Sequence, residues 1–135
     1  MRARRALVVI LGCVAMLLSA FALYRFGPSG RWLPGCIFHR LTGLECPGCG
    51  MTRAVHAMLH GDARGAFRFN PLGMVLLPAA LLGIGLELAG WVRGRPLAWR
   101  FRAGGPWAWC FAALLLGFWV LRNIPAWPFT LLAPP

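Results

Sequence analysis

Lysine is absent from this sequence, and acidic side chains are nearly so: Glu45, Asp62 and Glu87 are the only three. With three histidines as the other proton carriers, little material exists for general acid–base chemistry. A non-enzymatic role is therefore the first expectation. Strand patterning is missing too. No period-two runs alternate with helical ones, which excludes a soluble thioredoxin-type fold. Charged residues make up only 13% of the chain against 59% hydrophobic, and the mean hydropathy is +0.67. That balance lies outside the soluble globular range and inside the membrane range. At 135 residues the chain has room for a single domain.

What is present in quantity is arginine. All 14 basic residues are arginines, for a net charge of +11. A basic stripe for nucleic acid needs a soluble surface. These arginines sit instead in the gaps between apolar runs, where lipid headgroups would meet them, so no nucleic-acid partner is expected.

Three apolar runs stand out, at residues 6–24, 71–91 and 106–121, the last extendable to 124. A helix needs roughly 20 apolar residues to cross a bilayer core. The first run follows Arg2, Arg4 and Arg5 and reads as an anchor. Ala20-Phe21-Ala22 also resembles a signal-peptide cleavage site, but Leu23 and Tyr24 carry the run past it. Asn70 can cap the second run, and Pro71 suits its first helical position. Glu87, one turn before Trp91, is expected to reach the interface rather than stay in hydrocarbon. Pro125 and Pro128 close the third run. Trp91, Trp99, Trp107, Trp109, Trp119 and Trp127 stand near the span ends, as an aromatic belt requires. Arginines are dense in the flanks 1–5 and 92–105 and sparse across 25–70. That asymmetry predicts a cytoplasmic N-terminus and an outward-facing segment between the first two spans.

The information lies in that segment, residues 35–70. Short helices are predicted at 51–60, ended by Gly61, and at 63–69, capped by Asp62. Phe67 and Phe69 would place the second of these in the headgroup boundary. Cys46, Pro47, Gly48 and Cys49 form a C-x-x-C unit that can close a disulfide, bind a metal, exchange electrons, or simply make a tight turn. Extending the downstream helix backwards would put Cys49, Arg53, His56 and His60 on one stripe, with Arg53 favouring the thiolate. Cys36, His39, Cys46 and Cys49 offer four zinc ligands by type, although the spacing between the pairs is short for a zinc ribbon. An oxidising exterior favours a disulfide between two of Cys36, Cys46 and Cys49. Cys13 and Cys110 lie inside apolar runs and read as packing residues.

The run TGLECPGCGMTR at 42–53, followed by Gly61 and Asp62 and then by Asn70, Pro71 and Leu72, resembles a family of small bacterial membrane proteins, domain of unknown function 2752. Cys36 upstream and Arg122 with Asn123 downstream also look like its pattern. The resemblance implies a multi-pass protein of the bacterial inner or plasma membrane and brings no activity with it. It marks Cys36, Cys46, Pro47, Cys49, Gly50, Thr52, Arg53, Gly61, Asp62, Asn70, Pro71, Arg122 and Asn123, but none of the histidines. An ion pair of Asp62 with Arg53 or Arg122 is expected where the spans meet the outer interface.

The fold expectation is an all-α membrane protein of three transmembrane helices, with a cysteine loop and short interfacial helices between the first two. Its partners are the bilayer and another membrane protein. The leading functional expectation is a non-enzymatic helical subunit that docks a partner or pins its own helices, with no cofactor. The alternatives are a membrane thiol–disulfide oxidoreductase working through Cys46, Cys49 and Cys36, and a zinc-binding protein.

Overall fold

The computed structural model describes residues 2–28, 35–94 and 105–134. Its elements are α1 (Arg2–Phe26), α2 (Ile37–Thr42), α3 (Met51–Leu59), α4 (Ala63–Phe69), α5 (Pro71–Arg93) and α6 (Pro106–Arg122), with a final 3-10 turn at Phe129–Leu132. No strand occurs among the described residues. Arg31, Arg95, Trp99, Arg100 and Arg102, used above to orient the chain and place the belt, lie outside them.

By length and composition α1 and α5 can cross a bilayer, while α6 is apolar but has only 17 residues. At 1.5 Å per residue that is about 25 Å of helix, against a hydrocarbon core of about 30 Å. The expected extension to 124 does not form. Asn123 turns its side chain back onto the Trp119 carbonyl, and Pro125 follows two residues later.

α1 and α5 run antiparallel, stapled at one end by Arg5. Its Nη1 donates to the Trp91 carbonyl at 3.1 Å, and the guanidinium lies 5.5 Å from the Trp91 ring centroid. A cation at the last turn of a helix meets the negative end of the helix dipole, and its planar fork also stacks well on indole. At the far end Tyr24 stacks on His60 of α3, with ring centroids 4.3 Å apart. The last turn of α1 therefore rests on the segment that carries the cysteines.

That segment holds the only compact core of the described residues. Ala54, Ala57, Ala66 and Met74 are buried together, with Met51, Val55, Phe69 and Leu77 around them. Alanine at three of the four positions lets α3 and α4 approach closely. Phe67 is exposed, while Phe69, expected beside it in a headgroup boundary, packs into this cluster. Outside the cluster, Cys49 and Phe118 are the other buried apolar side chains among the described residues, and α1 has no buried residue at all. Leucine and isoleucine are exposed along both α1 and α5, the two helices long and apolar enough to cross a membrane.

The caps follow the sequence closely. Asp62 accepts from the Gly65 amide at 2.8 Å to open α4, and Asn70 accepts from the Gly73 amide at 2.8 Å to open α5. Pro71 takes the first position of α5, where its missing amide proton costs nothing. The chain leaves α3 through His60 and Gly61, the latter at φ +79°.

Candidate functional site

Cys46-Pro47-Gly48-Cys49 closes as a four-residue turn, its Cys49 amide donating to the Cys46 carbonyl at 3.0 Å. Proline second in the turn pre-sets the required φ. Gly48 is not among the glycines of positive φ, so the turn is of type I rather than type II. Gly50 then takes φ +80° and starts α3. A Cβ at Gly50 would collide with the Phe69 carbonyl, so both backbone and space demand glycine here.

This left-handed step cancels the helical stripe expected from Cys49 to His60. Cys49 lies before α3 and is buried, whereas Arg53 is exposed on the helix, as is Thr52. The sulfur therefore has no arginine one turn away. Asp62 also has no ion pair with Arg53 or Arg122: its carboxylate caps α4 instead. Glu87 is exposed on α5 and without an ion pair among the described residues.

Three side chains from distant elements hold the turn by its carbonyls. Arg122, at the end of α6 and only 2% exposed, donates Nη1 to Cys46 O (3.0 Å) and Pro47 O (3.3 Å), and Nη2 to Cys49 O (3.2 Å). Its guanidinium lies 5.1 Å from the Phe118 ring centroid. Asn70, 1% exposed, donates Nδ2 to Pro47 O (2.9 Å) and Cys49 O (3.2 Å) while its Oδ1 caps α5. Asn123 brackets Glu45, accepting from its amide at 2.8 Å and donating to its carbonyl at 2.9 Å. The turn is thus tied to the start of α5 and the end of α6 through main-chain atoms. This clamp leaves the cysteine side chains free to face one another.

They do so closely. Cys46 Sγ lies 2.9 Å from Cys49 Sγ and 3.5 Å from Cys36 Sγ, and all three sulfurs lie within 4.8 Å of one another. The Cys46 amide also points at Cys49 Sγ, 3.1 Å away. No disulfide joins them, since a bonded pair stands at about 2.05 Å and all five cysteines are free thiols. The expected bridge is therefore replaced by a three-thiol cluster.

The thiols differ in character. The His39 amide, then the Cys49 and Cys46 thiols, hold the Cys36 thiol below the ordinary cysteine range. Cys36 is the residue before α2, where helix amides gather. Burial pushes the Cys49 thiol well above that range, and its hydrogen bond to Cys46 adds to the effect.

His39 does not join the sulfurs. Its Nδ1 sits 3.3 Å from Glu45 Oε1 and 3.3 Å from the Leu44 carbonyl, so the four-ligand set expected from the spacing is reduced to three. The histidines of α3 are elsewhere as well: His56 and His60 pack ring to ring, centroids 4.3 Å apart. Cys13 and Cys110 are exposed on the apolar faces of α1 and α6, away from the cluster.

Two contributors went unread in the sequence. Phe118 lies one helical turn before Arg122, an i, i+4 pair that was available as a signal. Trp119 supplies a carbonyl to Asn123 and makes a T-shaped ring contact with Phe38, centroids 5.9 Å apart. Nothing in its local sequence separates it from an ordinary belt tryptophan.

Residues 36–84 match the model of a family described as protein of unknown function (DUF2752). The match begins at Cys36, covers the cysteine turn, α3 and α4, and ends within α5, leaving α1 and the Arg122–Asn123 clamp outside it. No curated protein and no solved structure matches the chain.

Proposed function

We propose that the chain is a small non-enzymatic membrane protein, crossing the bacterial inner or plasma membrane three times with its N-terminus cytoplasmic. In this reading its outward-facing cysteine turn is the knot that fixes the ends of its own helices, so that it can stand as a subunit beside another membrane protein. The observation that carries the reading is the buried Arg122. Its two terminal nitrogens go to three main-chain carbonyls of the turn, and Asn70 and Asn123 also address backbone. Polar side chains engaged in this way hold structure and are not aimed at a substrate. The antiparallel staple of Arg5 on Trp91 supports the topology, because it puts the N-terminal flank on the side opposite the turn.

A second reading, thiol–disulfide exchange with a quinone or partner dithiol, is favoured by the 2.9 Å approach of Cys46 and Cys49. Against it, burial pushes the Cys49 thiol above the ordinary cysteine range, and no second cysteine pair is present to pass electrons onward.

One experiment on intact cells tests the first reading. An impermeant maleimide, mapped by mass spectrometry, should label a cysteine placed at the exposed Arg64 of the turn's segment and leave one placed at Arg93 untouched. The same protein in lipid nanodiscs should show no catalytic turnover of dithiol and quinone. Labelling at position 93 alone would reverse the topology, and turnover above the unloaded nanodisc rate would replace the structural role by the redox one.

A further inference from the structure

We infer that Cys36, Cys46 and Cys49 form a three-thiolate site for a thiophilic divalent cation of the zinc class, with the fourth position left to solvent or to an incoming ligand. The inference rests on the sulfur geometry and on a charge imbalance, and it holds whichever way the chain is oriented.

The geometry comes first. Thiolates each about 2.3 Å from a zinc ion stand roughly 3.8 Å apart around a tetrahedron. The three sulfurs here are 2.9 and 3.5 Å apart in the two contacts through Cys46, with all separations inside 4.8 Å. Small side-chain rotations about a fixed backbone would open the short contact to the metal spacing. The backbone is indeed fixed, since Arg122, Asn70 and Asn123 hold residues 45–49 by their main-chain atoms. The Cys46 amide aimed at Cys49 Sγ is the kind of outer hydrogen bond that orients a ligand and stabilises its charged form.

The charge imbalance points to the same occupant. Arg122 is a buried cation with no carboxylate in ion-pair distance among the described residues, Glu45 acting on it only from farther off, and its Nε has no partner. A guanidinium taken out of water needs a counter-charge nearby. Three thiolates around a divalent cation carry one net negative charge, on the same turn whose carbonyls that guanidinium holds. Three neutral thiols supply none. The arginine thus balances a metal–thiolate centre better than it balances the thiols alone.

His39 is engaged by Glu45 and takes no part, which separates this site from a four-ligand zinc ribbon. Three protein ligands with one open position is the arrangement of a site that exchanges ligand or metal, rather than of a closed structural one.

The test uses the full-length chain, reduced and held anaerobically in detergent micelles, titrated with cadmium as an ultraviolet-visible probe and with zinc. One equivalent should bind, with a thiolate-to-cadmium charge-transfer band, and should protect Cys36, Cys46 and Cys49 from alkylation while Cys13 and Cys110 still react. Cys36→Ser should weaken binding by at least about tenfold, and His39→Ala should leave stoichiometry and affinity unchanged. Protection of the wild-type thiols reads the same site if a cysteine variant fails to fold. Absence of binding by the reduced wild-type chain would overturn the inference, as would binding that survives Cys36→Ser or that is lost in His39→Ala.

Discussion

Replacing Arg122 with leucine removes a buried charge and three hydrogen bonds in one step, at 3.0, 3.3 and 3.2 Å. The remaining carbonyl partners set the magnitude. Cys46 O still accepts from the Cys49 amide, and Pro47 O and Cys49 O still accept from Asn70. No acceptor is wholly orphaned, so the loss is that of the charge-assisted bonds, about 1.5–3 kcal/mol each. Against this gross loss of roughly 4–9 kcal/mol stands relief from burying a guanidinium, itself worth several kcal/mol. A net destabilisation of about 2–4 kcal/mol follows from the difference. Arg122→Lys restores the charge but not the two-nitrogen fork, and should recover part of the loss only. The assay is reversible unfolding of the purified protein in mixed micelles with increasing SDS, followed by far-UV circular dichroism. Leucine at 122 within about 0.5 kcal/mol of wild type would refute the reasoning, since that is the range of an ordinary surface change. A lysine variant as stable as wild type would refute the part played by the fork.

Asp62→Ala should cost about 1 kcal/mol in the same assay, because it removes the cap on α4 and no ion pair with it; a larger loss would mean that the carboxylate has a second partner. Gly50→Ala should cost at least about 1–2 kcal/mol from the left-handed backbone alone, with the Phe69 carbonyl adding to it. In metal-free, reduced protein, alkylation of Cys36 should set in at a lower pH than that of a free thiol, and Cys49 should remain protonated and slowest as pH rises. The opposite order, read by mass spectrometry over a pH series, would contradict the burial of Cys49.

The helices and their caps were legible because each is encoded locally. Asp62 and Asn70 stand immediately before apolar or helix-forming stretches, and both cap as their position predicts. The motif residues were legible as a set but not in their roles. Arg122 and Asn123 lie more than 70 residues from the turn that they hold, and their targets are main-chain carbonyls and amides, which leave no trace in residue identity. An acid–base pairing of Asp62 with an arginine was the natural reading of three charges, yet the helix amide is the nearer partner. One glycine at φ +80° separated Cys49 from the helical stripe, and glycine alone in a sequence does not announce its φ. The length of the third helix was overread because hydropathy does not register a side chain folding back on its own last turn.

The clamp on the cysteine turn also sets an order of events during synthesis. Both long apolar helices and all three clustered cysteines are made before residue 122 leaves the ribosome. Until then Cys46 and Cys49 are held only by Asn70 and by their own turn, and the sulfurs can meet oxidants or metals in other geometries. The arrival of α6 is what brings the guanidinium under the turn, so the clamp can close only after residues 106–122 have been made. A nascent chain arrested before residue 122 would display its thiols unclamped, and release of the arrest would close them in a single docking step.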